Sequence, residues 1–439
     1  MTSNAARSEK RATLAWALWD WAEQPFPTLM QTFVFPLYLA GAVAAKGTDT
    51  DALLGVATGI AGLIVAIMAP VFGRRSDETG KRKFWLMINT YLLVAIMVAA
   101  FFVAPSPEYL LFGLILYGLG SVVQESAFIN YYAMLRQVST PSTIGRISGY
   151  AWGFGYAGGI LLLCISLFGF ILPETVFGIV LADSMNVRIV FLFSAVWFAL
   201  FSIPLFRRVP EIAAAPGAKK QSVIESYIKL WSQLKSLRKQ APETFKFLIS
   251  SAIYRDGLAG VFTFGAVLGS LAFGFSQTEI ILFGIAANLV AGIGAAIGGR
   301  LDDILGSRAV IILSLVGLIV SGTAVFAFAG AGVITYWIGG LFLCLFVGPA
   351  QAASRTFVSR FTPAGREGEV FGLYQTTGRA ASFLSGFMWA GSITVASLLL
   401  GLENATIFGI IGLLLILGVG LLLLLRVDPN PKVTYSKQP

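Results

Sequence analysis

The chain has no histidine, and its 439 residues include two cysteines, Cys164 and Cys344, each inside an apolar run. Without histidine the side chain that titrates nearest neutrality is missing, so any proton handling falls to carboxylates. Two isolated thiols with no ligand spacing around them give no disulfide framework, zinc site or haem attachment. No glycine-rich loop with the lysine that cradles phosphates occurs, nor a soluble stretch large enough to house one, so no cofactor is expected. A nucleophile, a base and an orienting group cannot be assembled from the polar residues present, and the chain does not read as an enzyme. Charge is scarce as well. Only 12% of residues are charged against 56% hydrophobic, with a mean hydropathy of +0.80. That is too little charge to clothe a water-soluble globule of this size, and the chain belongs in a bilayer. The net charge of +9 sits in short loops between apolar runs. It therefore reads as topology and contact with anionic headgroups, with no nucleic-acid partner.

Twelve apolar runs have the length a helix needs to cross a bilayer. They lie at roughly 13–40, 52–73, 83–104, 109–134, 147–172, 187–206, 245–272, 278–298, 308–329, 333–357, 370–398 and 404–426. The first run is too long for a cleavable signal, is broken by Pro25, Pro27 and Pro36, and carries Asp20 and Glu23. If every run crosses, Arg7, Lys10, Arg11, Arg74, Arg75, Lys81 to Lys83, Arg136, Arg146, Arg300, Arg308 and Arg360 share one face. The opposite loops hold little beyond Lys46 and Arg188, so both termini are expected to be cytoplasmic, in the plasma membrane. The longest polar interval separates an N-terminal six-helix bundle, 1–206, from a C-terminal one, 245–439. Within the linker, 207–244, Val223, Tyr227, Trp231, Leu234 and Leu237 recur at helical spacing among lysines and arginines. They predict an amphipathic helix on the cytoplasmic membrane face, with a partner-binding helix as the alternative.

The halves are relatives. The polar run Gly73 to Lys83 between the second and third spans is answered by Gly299 to Arg308 between the eighth and ninth, in the same order of glycine, arginine, aspartate, glycine and arginine. Asp77 corresponds to Asp303 at an offset of 226 residues (303 − 77), and Arg136 to Arg360 at 224 (360 − 136). A glycine at a helix end lets two helices approach closely. An aspartate in the turn can accept from the backbone donors of a neighbouring helix start, or pair with arginine. The expected pairs are Asp77 with Arg136 and Asp303 with Arg360, as cytoplasmic latches; the alternative is that these charges are solvated at the surface.

Six plus six spans duplicated in parallel, with this motif after the second span of each half, resemble the major facilitator superfamily over the whole chain. Within it, Trp16-Ala17-Leu18-Trp19-Asp20-Trp21-Ala22-Glu23 is similar to the opening signature of the vacuole-effluxer family. So are Gly145-Arg146-Ile147-Ser148-Gly149-Tyr150-Ala151-Trp152 and Gln351-Ala352-Ala353-Ser354-Arg355 with Phe371-Gly372-Leu373-Tyr374. The resemblance implies an all-α membrane protein, twelve transmembrane helices in two pseudo-symmetric six-helix bundles. It also implies a secondary transporter that moves a small polar solute, amino acids first, by alternating access.

Charges inside spans are costly and usually functional. At about 1.5 Å per residue from the cytoplasmic ends, Glu23 lies roughly 18 Å deep, Asp20 about 13 Å, Glu125 about 16 Å, and Arg255, Asp256 and Arg379 about 14 Å. These groups are expected to face a common polar cavity, acidic in the first half and largely cationic in the second. Arg379, with Arg255 as second candidate, would grip an anionic group, and Glu23 and Glu125 would carry a coupling proton or meet an ammonium. Gln24, Asn130, Trp152, Tyr156, Asn288, Tyr374 and Gln375 would line the cavity. Internal salt bridges that only fasten the bundle are the alternative for the charges, and simple packing for the aromatic residues. Gly149, Gly153, Gly155, Gly158 and Gly159 allow tight contacts of the fifth helix. Pro25 and Pro27 would interrupt the first helix, either freeing carbonyls for a ligand or only kinking it. A monomer with protons and a small-molecule substrate as partners is expected. A cation-coupled sugar or organic-anion symporter is the second reading, and a non-transporting receptor or lipid scramblase the third.

Overall fold

The computed structural model describes residues 2–172, 182–211, 238–239, 241–401 and 405–428. Most of the linker segment expected to form an amphipathic helix, including Val223, Tyr227, Trp231, Leu234 and Leu237, lies outside the described residues. Those described are helical with connecting turns and contain no strand. Among the described residues twelve helices are long and apolar enough to span a membrane: α1 (Arg7–Val43), α2 (Thr50–Thr79), α3 (Arg82–Phe101), α4 (Pro107–Gln137), α5 (Ile144–Ile171), α6 (Met185–Arg208), α7 (Pro242–Phe273), α8 (Leu282–Leu305), α9 (Ser307–Ala327), α10 (Val333–Phe361), α11 (Glu367–Leu400) and α12 (Thr406–Leu424). Their outer faces carry large bare aliphatics, Leu398 and Leu399 each 79% exposed, as lipid-facing helices should.

The chain divides into two compact units. One comprises Met1–Val138 and Phe154–Lys220, the other Ser139–Gly153 and Gln221–Pro439. The boundary therefore differs from a simple cut after the sixth span, because the start of α5 belongs to the second unit. Glycine is the reason. A Cβ on Gly145 or Gly149 would fall onto backbone atoms of Gly299 and Ala295 in α8, so the two helices cross backbone to backbone.

In the first unit an aromatic core forms around α1. Trp16 stacks on Tyr131 at 4.4 Å and donates Nε1–H to its carbonyl at 3.1 Å, while Trp19 packs on the same ring and donates to Thr90 Oγ1 at 3.2 Å. Both tryptophans are fully buried, which makes the first-span signature in large part a packing device. Glu211 accepts from the amides of Lys83 and Phe84, at 2.8 and 3.2 Å, and so caps the start of α3; Lys83 Nζ reaches the Val209 carbonyl beyond α6. In the second unit Phe273, Phe275, Tyr336 and Trp389 form a core with Leu268, Val325, Ile410 and Leu413. Arg308, at the start of α9, donates to the carbonyls of Leu424 and Leu425 at the end of α12, a cation on the negative end of a helix dipole.

Candidate functional site

The local geometry in the first unit begins with Pro25. It has no N–H, so the Trp21 carbonyl four residues earlier loses its helical donor. The α-helix gives way there to a π-helical segment, Pro25–Phe33. Trp197 Nε1–H takes the vacated Trp21 carbonyl at 3.3 Å, and Phe26 N–H takes that of Glu23 at 3.1 Å. The two carbonyls the prolines release are thus occupied from within the unit, and the interruption is a kink with its polar groups paired.

Glu23 sits at the kink, 4% exposed. Its Oε1 accepts from Gln24 Nε2 and its Oε2 from Gln124 Nε2, each at 3.0 Å. Gln24 also donates to the Asp20 carbonyl and accepts from Thr28. No cation among the described residues reaches the Glu23 carboxylate. Asp20 is buried one turn before it, and Asp20 and Glu125, which is half-buried on α4, both act on Glu23 electrostatically. The arrangement suits proton exchange, since a primary amide presents N–H to a carboxylate or, turned over, C=O to a carboxylic acid.

Other expected lining residues are placed elsewhere. Asn130 Oδ1 accepts from Ser76 Oγ at 2.5 Å, which spends it on the last turn of α2. Tyr156 is half-buried on α5. Trp152, in the second unit, lies against the guanidinium of Arg355 at 5.7 Å. Asn288 turns its amide back to the Gly284 carbonyl of its own helix at 2.8 Å.

The second unit is organised by a break in α11, which runs as Glu367–Ala381 and resumes as Leu384–Leu400. Asp256 accepts from Ser385 N–H at 2.6 Å and Ser385 Oγ–H at 3.1 Å, so it caps the first turn of the resumed helix. Arg379 lies half-buried in the last turn of the preceding segment. Arg255 donates to the Tyr374 carbonyl and to Gln375 Oε1, both at 3.0 Å, and stands 3.7 Å from the Tyr374 ring centre. Gly378 leaves room for it: a Cβ there would lie 3.1 Å from its Nη1.

Around the duplicated turn, Gly80 and Gly306 occupy equivalent positions with φ of 62° and 84°, where a side chain would be strained. Asp77 accepts from Arg82 at 2.6 Å. Arg136 is half-buried in the last turn of α4. Asp303 accepts from the amides of Gly145 and Arg146, at 2.7 and 3.2 Å, at the start of α5, and Arg360 Nη2 stands 3.6 Å away. Arg360 also pairs with the neighbouring Asp302, which Thr356 and Ser307 join. Gly73 is buried on α2.

Two side chains that matter here, Gln124 and Arg355, are not among the expected site residues, although Arg355 ends the run Gln351 to Arg355 on which the family resemblance rests. Gln124 is adjacent to Glu125 and carries no charge of its own. Arg355, 1% exposed, donates to Ser148 Oγ at 3.0 Å and the Ser148 carbonyl at 2.9 Å. The signal was its place as the one cation within a run of alanine and serine, Ala352 to Thr356.

Residues 42–432 match the family described as vacuole effluxer Atg22 like. The chain belongs to that family. Among relatives of this chain, the uncharacterized MFS-type transporter YxiO of Bacillus subtilis is 27% identical over 432 residues, 97% of this chain and 96% of that one. Autophagy-related protein 22 of Cryptococcus neoformans is 24% identical over 267 residues, 55% of this chain and 46% of that protein. Among solved structures, the proton:xylose symporter XylE has a TM-score of 0.70 at 15% identity, covering 97% of this chain and 95% of that one. The human organic anion transporter MFSD10 has a TM-score of 0.69 at 16% identity, covering 96% and 99%. At such identities these likenesses show the major facilitator fold alone. The chain is a multi-pass membrane transporter of the major facilitator superfamily, in a family of carriers and not of enzymes.

Proposed function

We propose that this Atg22-like carrier moves amino acids across its membrane by alternating access, with protons as the coupling ion. The observation that carries the reading is Glu23: a buried carboxylate inside a membrane span, held by two glutamine amides and by no cation among the described residues. A charge left in this state is expensive unless a proton or a substrate ammonium neutralises it. Glu125 and Asp20 add negative charge beside it, which favours a cationic visitor. The family's description as vacuole effluxers fits a small solute leaving a compartment. The lysine and arginine of the shared-face loops support cytoplasmic termini, and we propose the plasma membrane as the address and a monomer as the working unit.

The test is transport in proteoliposomes of the purified protein, using the twenty radiolabelled amino acids under an imposed pH gradient. The expected result is gradient-driven accumulation of at least one of them. Glu23→Gln should lose that accumulation and keep counterflow in the absence of a gradient. Wild-type liposomes that give neither accumulation nor counterflow of any amino acid would overturn the substrate, and a Glu23→Gln variant with unchanged pH dependence would overturn the coupling.

A further inference from the structure

We infer that Arg255, framed by Tyr374, Gln375 and Gly378 of α11, is a carboxylate-binding group of this carrier, and that Gly378 keeps the guanidinium open to its ligand. The inference deepens the transporter reading and rests on it. A guanidinium has five N–H donors. Arg255 spends two of them on the Tyr374 carbonyl and Gln375 Oε1, and no carboxylate among the described residues pairs with it. Asp256, next in sequence, is committed to Ser385 on the resumed half of α11. The charge is therefore held in place without being cancelled.

The frame also fixes how the group is presented. One face of the guanidinium is covered by the Tyr374 ring at 3.7 Å, a cation–π contact. The two acceptors, at successive positions 374 and 375 of the helix, each take one N–H from a different terminal nitrogen, Nη1 and Nη2, and leave Nε–H and one N–H on each tip for a ligand. At 378 the missing side chain leaves space where a methyl group would meet Nη1 and the central carbon, at 3.1 and 3.4 Å. A planar cation stacked on one face, anchored through both tips and packed closely against a glycine, with three N–H groups left over, is arranged to receive a flat anion through its remaining donors. A carboxylate has that shape and takes a two-pronged bond from arginine. Arg379 is placed differently, in the final turn of a helical segment where the dipole already stabilises its charge. The structure thus favours Arg255 over Arg379 for this role.

The test is ligand-dependent thermal shift and calorimetry on the purified full chain in nanodiscs. The probes are the twenty amino acids, their methyl esters, and the amine-free acids acetate, propionate and 4-methylpentanoate. Wild type should bind at least one free carboxylate at least about tenfold more tightly than its ester, the worth of a charge-assisted bond. Arg255→Gln should remove that preference by weakening acid binding more than ester binding, while Arg255→Lys restores it in part. Gly378→Ala should weaken acid binding without changing the fold, and it serves as the reading if Arg255→Gln does not give folded protein. Acids and esters bound equally by wild type, or acid binding unchanged in Arg255→Gln or Gly378→Ala, would overturn the inference, as would no acid binding at all. Amine-free acids bound through Arg255 with no amino acid bound would uphold it and sink the amino-acid reading. Amino acids bound and transported independently of Arg255 would do the reverse.

Discussion

Within their membrane spans the two units solve the same problem with opposite charges. In the first, a carboxylate, Glu23, is held by the amides of Gln24 and Gln124. In the second, a guanidinium, Arg255, is held by a carbonyl, the amide oxygen of Gln375 and a tyrosine face. Neither is neutralised by an opposite charge from its own unit among the described residues. Glutamine serves both because its amide offers a donor at one end and an acceptor at the other. Neutral partners fix the position of a charge without cancelling it, and a carrier needs that of a group whose counter-charge arrives with the cargo.

The polar turns differ in a second way. At the offset of 226 residues, Ser76 corresponds to Asp302 and Asn130 to Thr356. In the first unit the pair is neutral, Ser76 donating to Asn130. In the second, Asp302 is buried at 1% exposure among Arg360, Thr356 and Ser307. The comparison predicts unequal costs at equivalent positions. Asp302→Ala strips a buried pair and should cost on the order of 3 kcal/mol, whereas Ser76→Ala loses one hydrogen bond and should cost about 1 kcal/mol. Thermal unfolding of the two variants in detergent measures the difference, and equal losses would erase the distinction drawn between the turns.

A smaller effect separates how each unit repairs its broken helix. Asp256 caps the resumed half of α11, so Asp256→Ala should cost about 1–2 kcal/mol and speed hydrogen exchange at the Ser385 amide. The kink of α1 is repaired by Trp197, and Trp197→Phe should cost about 1 kcal/mol by orphaning the Trp21 carbonyl again. The reverse order would show that the kink, not the break, is the costlier irregularity.

The smallest effect lies outside the membrane. At the start of the helix carrying α8, Ser276 and Glu279 cap one another, and the Ser276 N–H and hydroxyl lower the Glu279 carboxyl below its usual value. A depressed carboxylate stabilises above its unfolded value and loses that stabilisation as pH falls through the folded one. Exchange at the first turn, corrected for intrinsic rate, should therefore rise on acidification in wild type and be already raised and flat in Glu279→Gln.

Much of the fold was legible because bilayer length is a strong constraint: twelve runs of sufficient apolar length became twelve helices, with ends shifted by a few residues. The duplicated turn was legible because charge and glycine are rare in such a chain. The site was read less completely. Depth counted from the loops ranked Asp256 with Arg255, yet one caps a helix and the other stays unneutralised, a distinction made by the break at Ala381 to Leu384 that no residue pattern announced. Asn130 reads as cavity lining because it is polar within a span, and Ser76 from a neighbouring helix claims it. Gln124 is one of several uncharged amides within the spans and nothing in the sequence marks it over the others, although it holds one oxygen of the Glu23 carboxylate.

The assignment of Ser139–Gly153 to the second unit bears on how the gene can be divided. A split between the sixth and seventh spans, the natural place by sequence, would strand the entry of α5 on the wrong fragment. The C-terminal fragment alone would be left with Asp303 and Arg355 deprived of the Gly145, Arg146 and Ser148 groups they bind, and with a bare glycine seam on α8. Expressed separately the pieces should be poor substrates for folding and good ones for degradation, and only when made together should they complement.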